Sequence, residues 1–204
     1  MTGIAIYAEG GGDRAQGRSD LRQGLSEFLR ASRDAARTNG LSWKLVACGG
    51  RNDACDAFLH ARDTSPEVCN VLLVDSESPV DGSPSNHLRV RDGWDLHGAG
   101  ENSIHLMAQV METWILADPD KLKAFYGQGF LPNAIPGAQD LESVSKDDVR
   151  ESLMRATKRT LKGEYHKVHH ARQLLGQIDS SLARRRCRHC ERLFVALESF
   201  VGSA

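Results

Sequence analysis

The sequence predicts an α/β fold in which a parallel sheet is flanked by helices and followed by a helical, basic C-terminal extension. Three observations point there. Strand-like and helix-like segments alternate through the first 75 residues, the strand-like segments are continuously apolar, and Lys and Arg crowd toward the end of the chain. Continuous apolar strands joined by helical crossovers belong to sheets covered on both faces.

Gly3 to Ala8 is a short apolar run ending at Glu9 and three glycines, the pattern of a buried strand leaving a sheet. Ser19 and Asp20 are cap residues for a helix in which Leu21, Leu25, Phe28, Leu29, Ala35 and Ala36 recur at three- and four-residue spacing, until Asn39-Gly40 stops it. Lys44 to Cys48 reads as a second strand closed by Gly49-Gly50. Asn52 to Arg62 reads as a helix burying Ala54, Phe58 and Ala61, and Asn70 to Asp75 as the third strand. Residues 78–102, rich in Pro, Gly, Ser and Asp, read as a long loop in which Pro79, Gly82 and Pro84 break any regular element. A fourth strand at Ile104 to Val110, a short buried helix at Glu112 to Ala117 and a helix from Pro119 to Tyr126 capped by Asp118 complete a core of residues 1–126. Helical patterns at 147–161, 167–177 and 186–201 then build an elaboration, residues 127–204, packed on that core.

With 40% hydrophobic and 26% charged residues the chain is globular, neither disordered nor fibrous. It has no apolar run of bilayer length, and Met1 to Glu9 lacks the basic lead of a signal peptide. A cytoplasmic protein without a membrane partner is expected. The five cysteines form an odd, irregular set that suits reduced thiols. Cys187-Arg188-His189-Cys190 has no second ligand pair at zinc-finger spacing and reads as thiols packed against the last helix. The net charge of -1 hides an asymmetry: residues 151–190 hold ten Lys and Arg against three Asp and Glu. Such a distribution suits a metal site beside a polyanion groove, and equally a set of solvated helix faces; Arg184 to Arg186 fit either.

The chemistry concentrates at two strand ends. Ligand sites in open α/β sheets lie in the crevice at the carboxyl ends of the strands, where Glu9 and Asp75-Ser76-Glu77 both fall. Acids crowded there repel one another unless they share a cation, and oxygen ligands suit Mg²⁺ or Mn²⁺. In an extended strand Asp75 and Glu77 point to the same side, so both reach one ion. Gly10, Gly11 and Gly12 permit a sharp turn and expose amide N–H groups to a phosphate. Glu112 is a candidate further ligand with Asp118 behind it, or else a helix-start carboxylate or a partner of Arg91. Arg51 would contact phosphate or bond at a helix start. Lys158, Lys162, Tyr165, His166 and Lys167 would meet phosphates or form a polar loop.

A glutamate with glycines after the first strand and an acidic pair after the third resembles the Toprim domain of primases, topoisomerases and OLD-type nucleases. The wider set Tyr7 to Gly12, Cys48 to Arg51, Leu73 to Glu77, Arg91 to Trp94 and Met107 to Asp118 resembles the Toprim-like family catalogued as domain of unknown function 4276. The resemblance implies that Glu9 is the first-strand glutamate, that Asp75 and Glu77 bind metal, and that Lys167 is the lysine found near this point. Glu77 departs from the usual aspartate by one methylene.

Together these readings predict a metal-dependent phosphodiester hydrolase, a nuclease, acting on DNA or RNA. Glu9, Asp75, Glu77 and Lys167 are its catalytic set; Glu9, Asp75, Glu77 and Glu112 are the metal ligands, and Gly10 to Gly12, Arg51 and Lys158 contact phosphate. Glu9 serves as ligand or as general base. The likeness to OLD-type systems implies a role in phage defence, and because no Walker motif is present, any ATPase is a separate partner. The alternative is a non-catalytic module that binds nucleic acid or a partner and keeps a structural metal site. A third, a phosphatase or nucleotidyl transferase, would act on small substrates only.

Overall fold

The computed structural model describes residues 1–203, the Val168 side chain excepted. Four parallel strands form the sheet: β1 (Gly3–Glu9), β2 (Ser42–Gly49), β3 (Val68–Asp75) and β4 (Ile104–Met107), in the order β2-β1-β3-β4. The parallel sheet flanked by helices that the sequence predicts is present.

Strand pleating divides the core. Ile4, Ile6 and Ala8 of β1 join Val71 and Leu73 of β3 on one face, while Ala5 and Tyr7 join Leu72 and Val74 on the other. The first face is covered by α1 (Ala15–Phe28), α2 (Arg30–Thr38) and the helices of the second half; the other is covered by α3 (Arg51–Thr64) and α4 (Pro84–Asp92). The helix expected through residue 39 is broken at Leu29, the shared boundary of α1 and α2. Phe28 stacks there on Trp114 with ring centroids 5.1 Å apart.

Residues 78–102 are not all loop. Ser83 Oγ accepts the Asn86 N–H at 3.3 Å, Pro84 occupies the first turn of α4, and Gly93 ends it at φ 71. Pro84 was expected to break structure, but a proline in a first turn loses no helical hydrogen bond. β4 is shorter than expected, since after Met107 the chain turns into α5 (Glu112–Ile115) and α6 (Pro119–Tyr126). Asp118 caps α6 through the Lys121 N–H at 3.0 Å and accepts the Asp179 N–H at 2.9 Å, a structural use of its carboxylate.

The second half contributes α7 (Lys146–Thr157), α8 (Lys167–Leu175), α9 (Ser180–Arg186) and α10 (Arg188–Gly202). The last predicted helix is thus two. They break at Cys187, where Glu142 takes the His189 N–H at 2.8 Å and its Nδ1 at 2.7 Å. Residues of this half, including Leu153, Leu174, Leu193 and Leu197, share one apolar cluster with β1 and β3. No helix is long and apolar enough to cross a membrane among the described residues.

Much of the basic charge here serves the fold. Arg186 donates to the carbonyls of Ala117, Pro136 and Ala138, and Arg184 pairs with Glu191 and Glu198 across the Phe194 ring. Arg192 reaches the Ile104 carbonyl at 2.6 Å and that of Glu101, and Arg188 reaches the Val80 carbonyl at 2.9 Å. The last helix therefore fastens both ends of the segment before β4.

Candidate metal centre

Glu9 ends β1 and Asp75 ends β3, so adjacent strands bring two acids 66 positions apart to one edge of the sheet. Glu9 Oε2 accepts the Asp75 N–H at 3.1 Å and Arg51 Nη1 at 3.0 Å. The same arginine donates to the Asp75 carbonyl at 2.8 Å, clasps Asp92 at 3.0 and 2.8 Å, and lies 5.1 Å from the Trp94 ring centroid. Arg51, a candidate phosphate contact by sequence, is held by two carboxylates.

Asp75 Oδ1 accepts the Met111 N–H at 2.8 Å. Its Oδ2 lies 3.7 Å from Lys167 Nζ, which is also 3.5 Å from Glu112 Oε2. Glu112 Oε1 accepts Tyr165 OH at 3.1 Å, whereas buried Oε2 accepts no hydrogen bond. Glu112 does start a helix, but its partners are Tyr165 and Lys167; Arg91 pairs with Asp92.

Glu77 reaches the site by an unexpected route. β3 ends at Asp75, and Glu77 adopts φ 63, the left-handed region, while its N–H meets the Gln109 carbonyl at 2.7 Å. The carboxylates converge through this turn, not through the pleat of an extended strand. A non-glycine residue held there stores strain, a cost that clusters at functional sites. Lys146 Nζ, at 2.9 Å, fixes the Glu77 carboxylate.

Carboxylate oxygens of Glu9, Asp75 and Glu77 lie within 4.8 Å of one another, and this is the one such acid, His or Cys group among the described residues. Glu112 stands outside it, and Cys187, His189 and Cys190 form no comparable cluster. Burial pushes the Asp75 carboxyl up to about 8; Lys167 opposes the rise, while Glu9, Glu112 and Glu77 reinforce it. Glu9 is also raised by burial, against Arg51. Glu77 resists its own burial because Lys146 bonds its charged form, leaving it below the ordinary range. Burial works against the Lys167 charge, yet Glu112 and Asp75 hold that lysine above its usual value. Crowded, partly desolvated oxygens of this kind fit a hard divalent cation, and the group could hold a metal ion.

Gly10, Gly11 and Gly12 have φ 115, 87 and 60. Gly10 and Gly49 exchange backbone bonds of 2.8 and 3.0 Å, and a Cβ on Gly11 would lie 2.6 Å from Arg18 Cα. The N–H groups of Gly11 and Gly12 have no acceptor among the described residues. Two cavities flank the acids and Lys167 lines both. One, about 220 Å³, lies between the glycine turn, α1 and α8; the other, about 650 Å³, is lined by residues including Glu77, Lys146, Arg150 and His166. Lys158 is exposed at the end of α7 and lines neither.

The structure therefore gathers Glu9, Asp75, Glu77, Lys167, Glu112, Arg51 and the glycines, and leaves Lys158 apart. Lys146, Met111 and Arg172 escaped the sequence reading: no local spacing links Lys146 to Glu77, 69 positions away. The family described as "Domain of unknown function (DUF4276)" matches over residues 8–198. No curated protein and no solved structure matches the chain.

Proposed function

The chain belongs to the DUF4276 family, and we propose that it is a divalent-metal phosphodiesterase acting on nucleic acid, a nuclease of Toprim type. The observation that carries this reading is the convergence of Glu9, Asp75 and Glu77 within 4.8 Å at the carboxyl edge of a parallel sheet. The resemblance of these residues to the Toprim pattern supports the same chemistry.

Glu9, Asp75 and Glu77 would hold Mg²⁺ or Mn²⁺, which when bound supplies Lewis-acid stabilisation of phosphoryl charge and lowers the pKa of water. The residues supply the rest. Arg51 and the Asp75 N–H orient Glu9, and the Met111 N–H orients Asp75. The N–H groups of Gly11 and Gly12, which have no acceptor among the described residues, would donate to a phosphate oxygen. The Lys167 ammonium, 3.7 Å from Asp75, would offer a positive charge to the phosphoryl oxygens or the departing alkoxide. Water oxygen bonds to phosphorus as the P–O bond to one sugar breaks; the leaving oxygen gains a proton, giving a phosphomonoester and an alcohol.

A purified chain incubated with plasmid, single-stranded DNA and RNA in Mg²⁺ or Mn²⁺ tests the reading. Cleavage abolished by EDTA, Asp75→Ala and Glu9→Ala is the expected result. A wild type that binds metal but leaves every substrate intact, alone and with a co-purifying ATPase partner, would sink it.

A non-catalytic module is the second reading. It draws on the fact that Glu9, Glu77 and Asp75 each already face a protein cation: Arg51, Lys146 and Lys167. Nucleic-acid binding unaffected by Asp75→Asn, without turnover, would favour it.

A further inference from the structure

We propose that the cavity of about 220 Å³ beside the acids receives one unstacked nucleobase of the substrate, its amino edge toward Asp20. This rests on the nucleic-acid reading above and adds which part of the substrate is grasped.

Glu9 and Asp75 are among the residues that line the cavity, so an occupant lies beside the acidic group. Its apolar wall is built from Leu21, Met107, Met111 and Ala171. At about 220 Å³ it falls below the roughly 300–1,000 Å³ of pockets for drug-sized ligands, and suits one planar ring system better than a base pair. Apolar slots of this kind take the faces of extruded or single-stranded bases.

The α1–α8 side of the cavity is closely packed. α1 approaches α8 so closely at Gly24 that a Cβ there would lie 2.7 Å from the Arg172 carbonyl oxygen. Above that crossing Arg172 pairs with Asp20, and Gln16 Nε2 donates to the same Asp20 Oδ1 at 2.6 Å. Both bonds end on Oδ1, which leaves Oδ2 without a donor among the described residues, on a side chain that lines the cavity. Adenine, cytosine and guanine offer an amino group to such an acceptor; thymine does not. The free N–H groups of Gly11 and Gly12 then meet the phosphate attached to the captured nucleoside.

The test uses Mn²⁺-loaded protein and calorimetric titration with dAMP, dCMP, dGMP, dTMP and deoxyribose 5-phosphate. The amino-bearing nucleotides are expected to bind at least about tenfold tighter than the sugar phosphate. Ala171→Phe, which fills the slot, should erase that advantage while leaving Mn²⁺ affinity and the melting temperature in place. Leu21→Phe fills it from another wall and replaces Ala171→Phe if that variant does not fold. Asp20→Ala should erase the preference over dTMP alone. Equal affinity for nucleotides and sugar phosphate, or no binding of either, overturns the proposal, as does an advantage that survives filling. Oligonucleotide cleavage is scored separately. A chain that prefers nucleotides yet cuts nothing defeats the hydrolase reading alone, and one that cuts normal and abasic strands equally well defeats the base pocket alone.

Discussion

Lys146 holds the Glu77 carboxylate at 2.9 Å although the Glu77 backbone sits at φ 63. An L-residue in that region costs about 1–2 kcal/mol, while a partly exposed ion pair returns about 1 kcal/mol or less. The fold thus bears a strained glutamate that its ion pair does not fully offset. Glu77→Gly is expected to leave the metal-free protein as stable as wild type or up to about 1 kcal/mol more so. It should weaken Mn²⁺ binding by about tenfold or more. Urea midpoints and calorimetric titration measure the two effects; a loss of stability together with unchanged metal affinity would count against the assigned role.

Asp75 makes metal-free stability depend on pH with a defined sign. Its folded value of about 8 lies above the ordinary 3.8, so between these values the folded state holds the proton more tightly than the unfolded one. Asp75 therefore makes stability fall as pH rises through this window, by up to about 1.4 kcal/mol per pH unit for one proton. Asp75→Asn should flatten this part of the profile. Thermal melts of both proteins in EDTA, from pH 4 to pH 8, measure the difference.

Divalent metal competes with that proton. Mn²⁺ at about 100 times its dissociation constant should stabilise the wild type by about 2.7 kcal/mol. The apparent affinity should rise from pH 6 to pH 8, and Glu9→Gln should lose most of the gain. A metal-induced melting shift that ignores both pH and Glu9 would place the cation elsewhere.

Arg186 is predicted to be structural. It serves three carbonyls, and Arg186→Ala should cost about 1–3 kcal/mol in chemical denaturation by leaving them unpaired. The salt dependence of nucleic-acid binding should not change, whereas neutralising a phosphate-contacting lysine lowers its slope by nearly one.

Gly24→Ala should loosen the crossing of α1 and α8, since the added methyl meets the Arg172 carbonyl oxygen at 2.7 Å. A loss of about 1–3 kcal/mol is expected from the forced backbone shift. The denaturation midpoint reads it directly.

The strand ends were legible because a continuous apolar run must be covered on both faces, and a carboxylate directly after one has few places to lie except the edge crevice. Glu9 and Asp75 lie at the strand ends that their place after apolar runs implies. Glu77 arrives instead through a left-handed turn, which carries no mark in local spacing. Helix α4 is hidden by its own start: Pro84 looks like a breaker in sequence, and His87 and Leu88 are too few buried residues to show a period. Arg184 and Arg186 could not be told from nucleic-acid contacts by charge alone, because their partners come from distant segments or a later turn.

The fastening of the last helix to the segment before β4 also sets an order of assembly. A ribosome delivers Glu9 and Asp75 well before Lys167 and the Arg188 and Arg192 anchors. During synthesis the growing chain carries its acids without the lysine that faces them and without the staples on the neighbouring segment. Completion of the site therefore waits until α8 and α10 have been made.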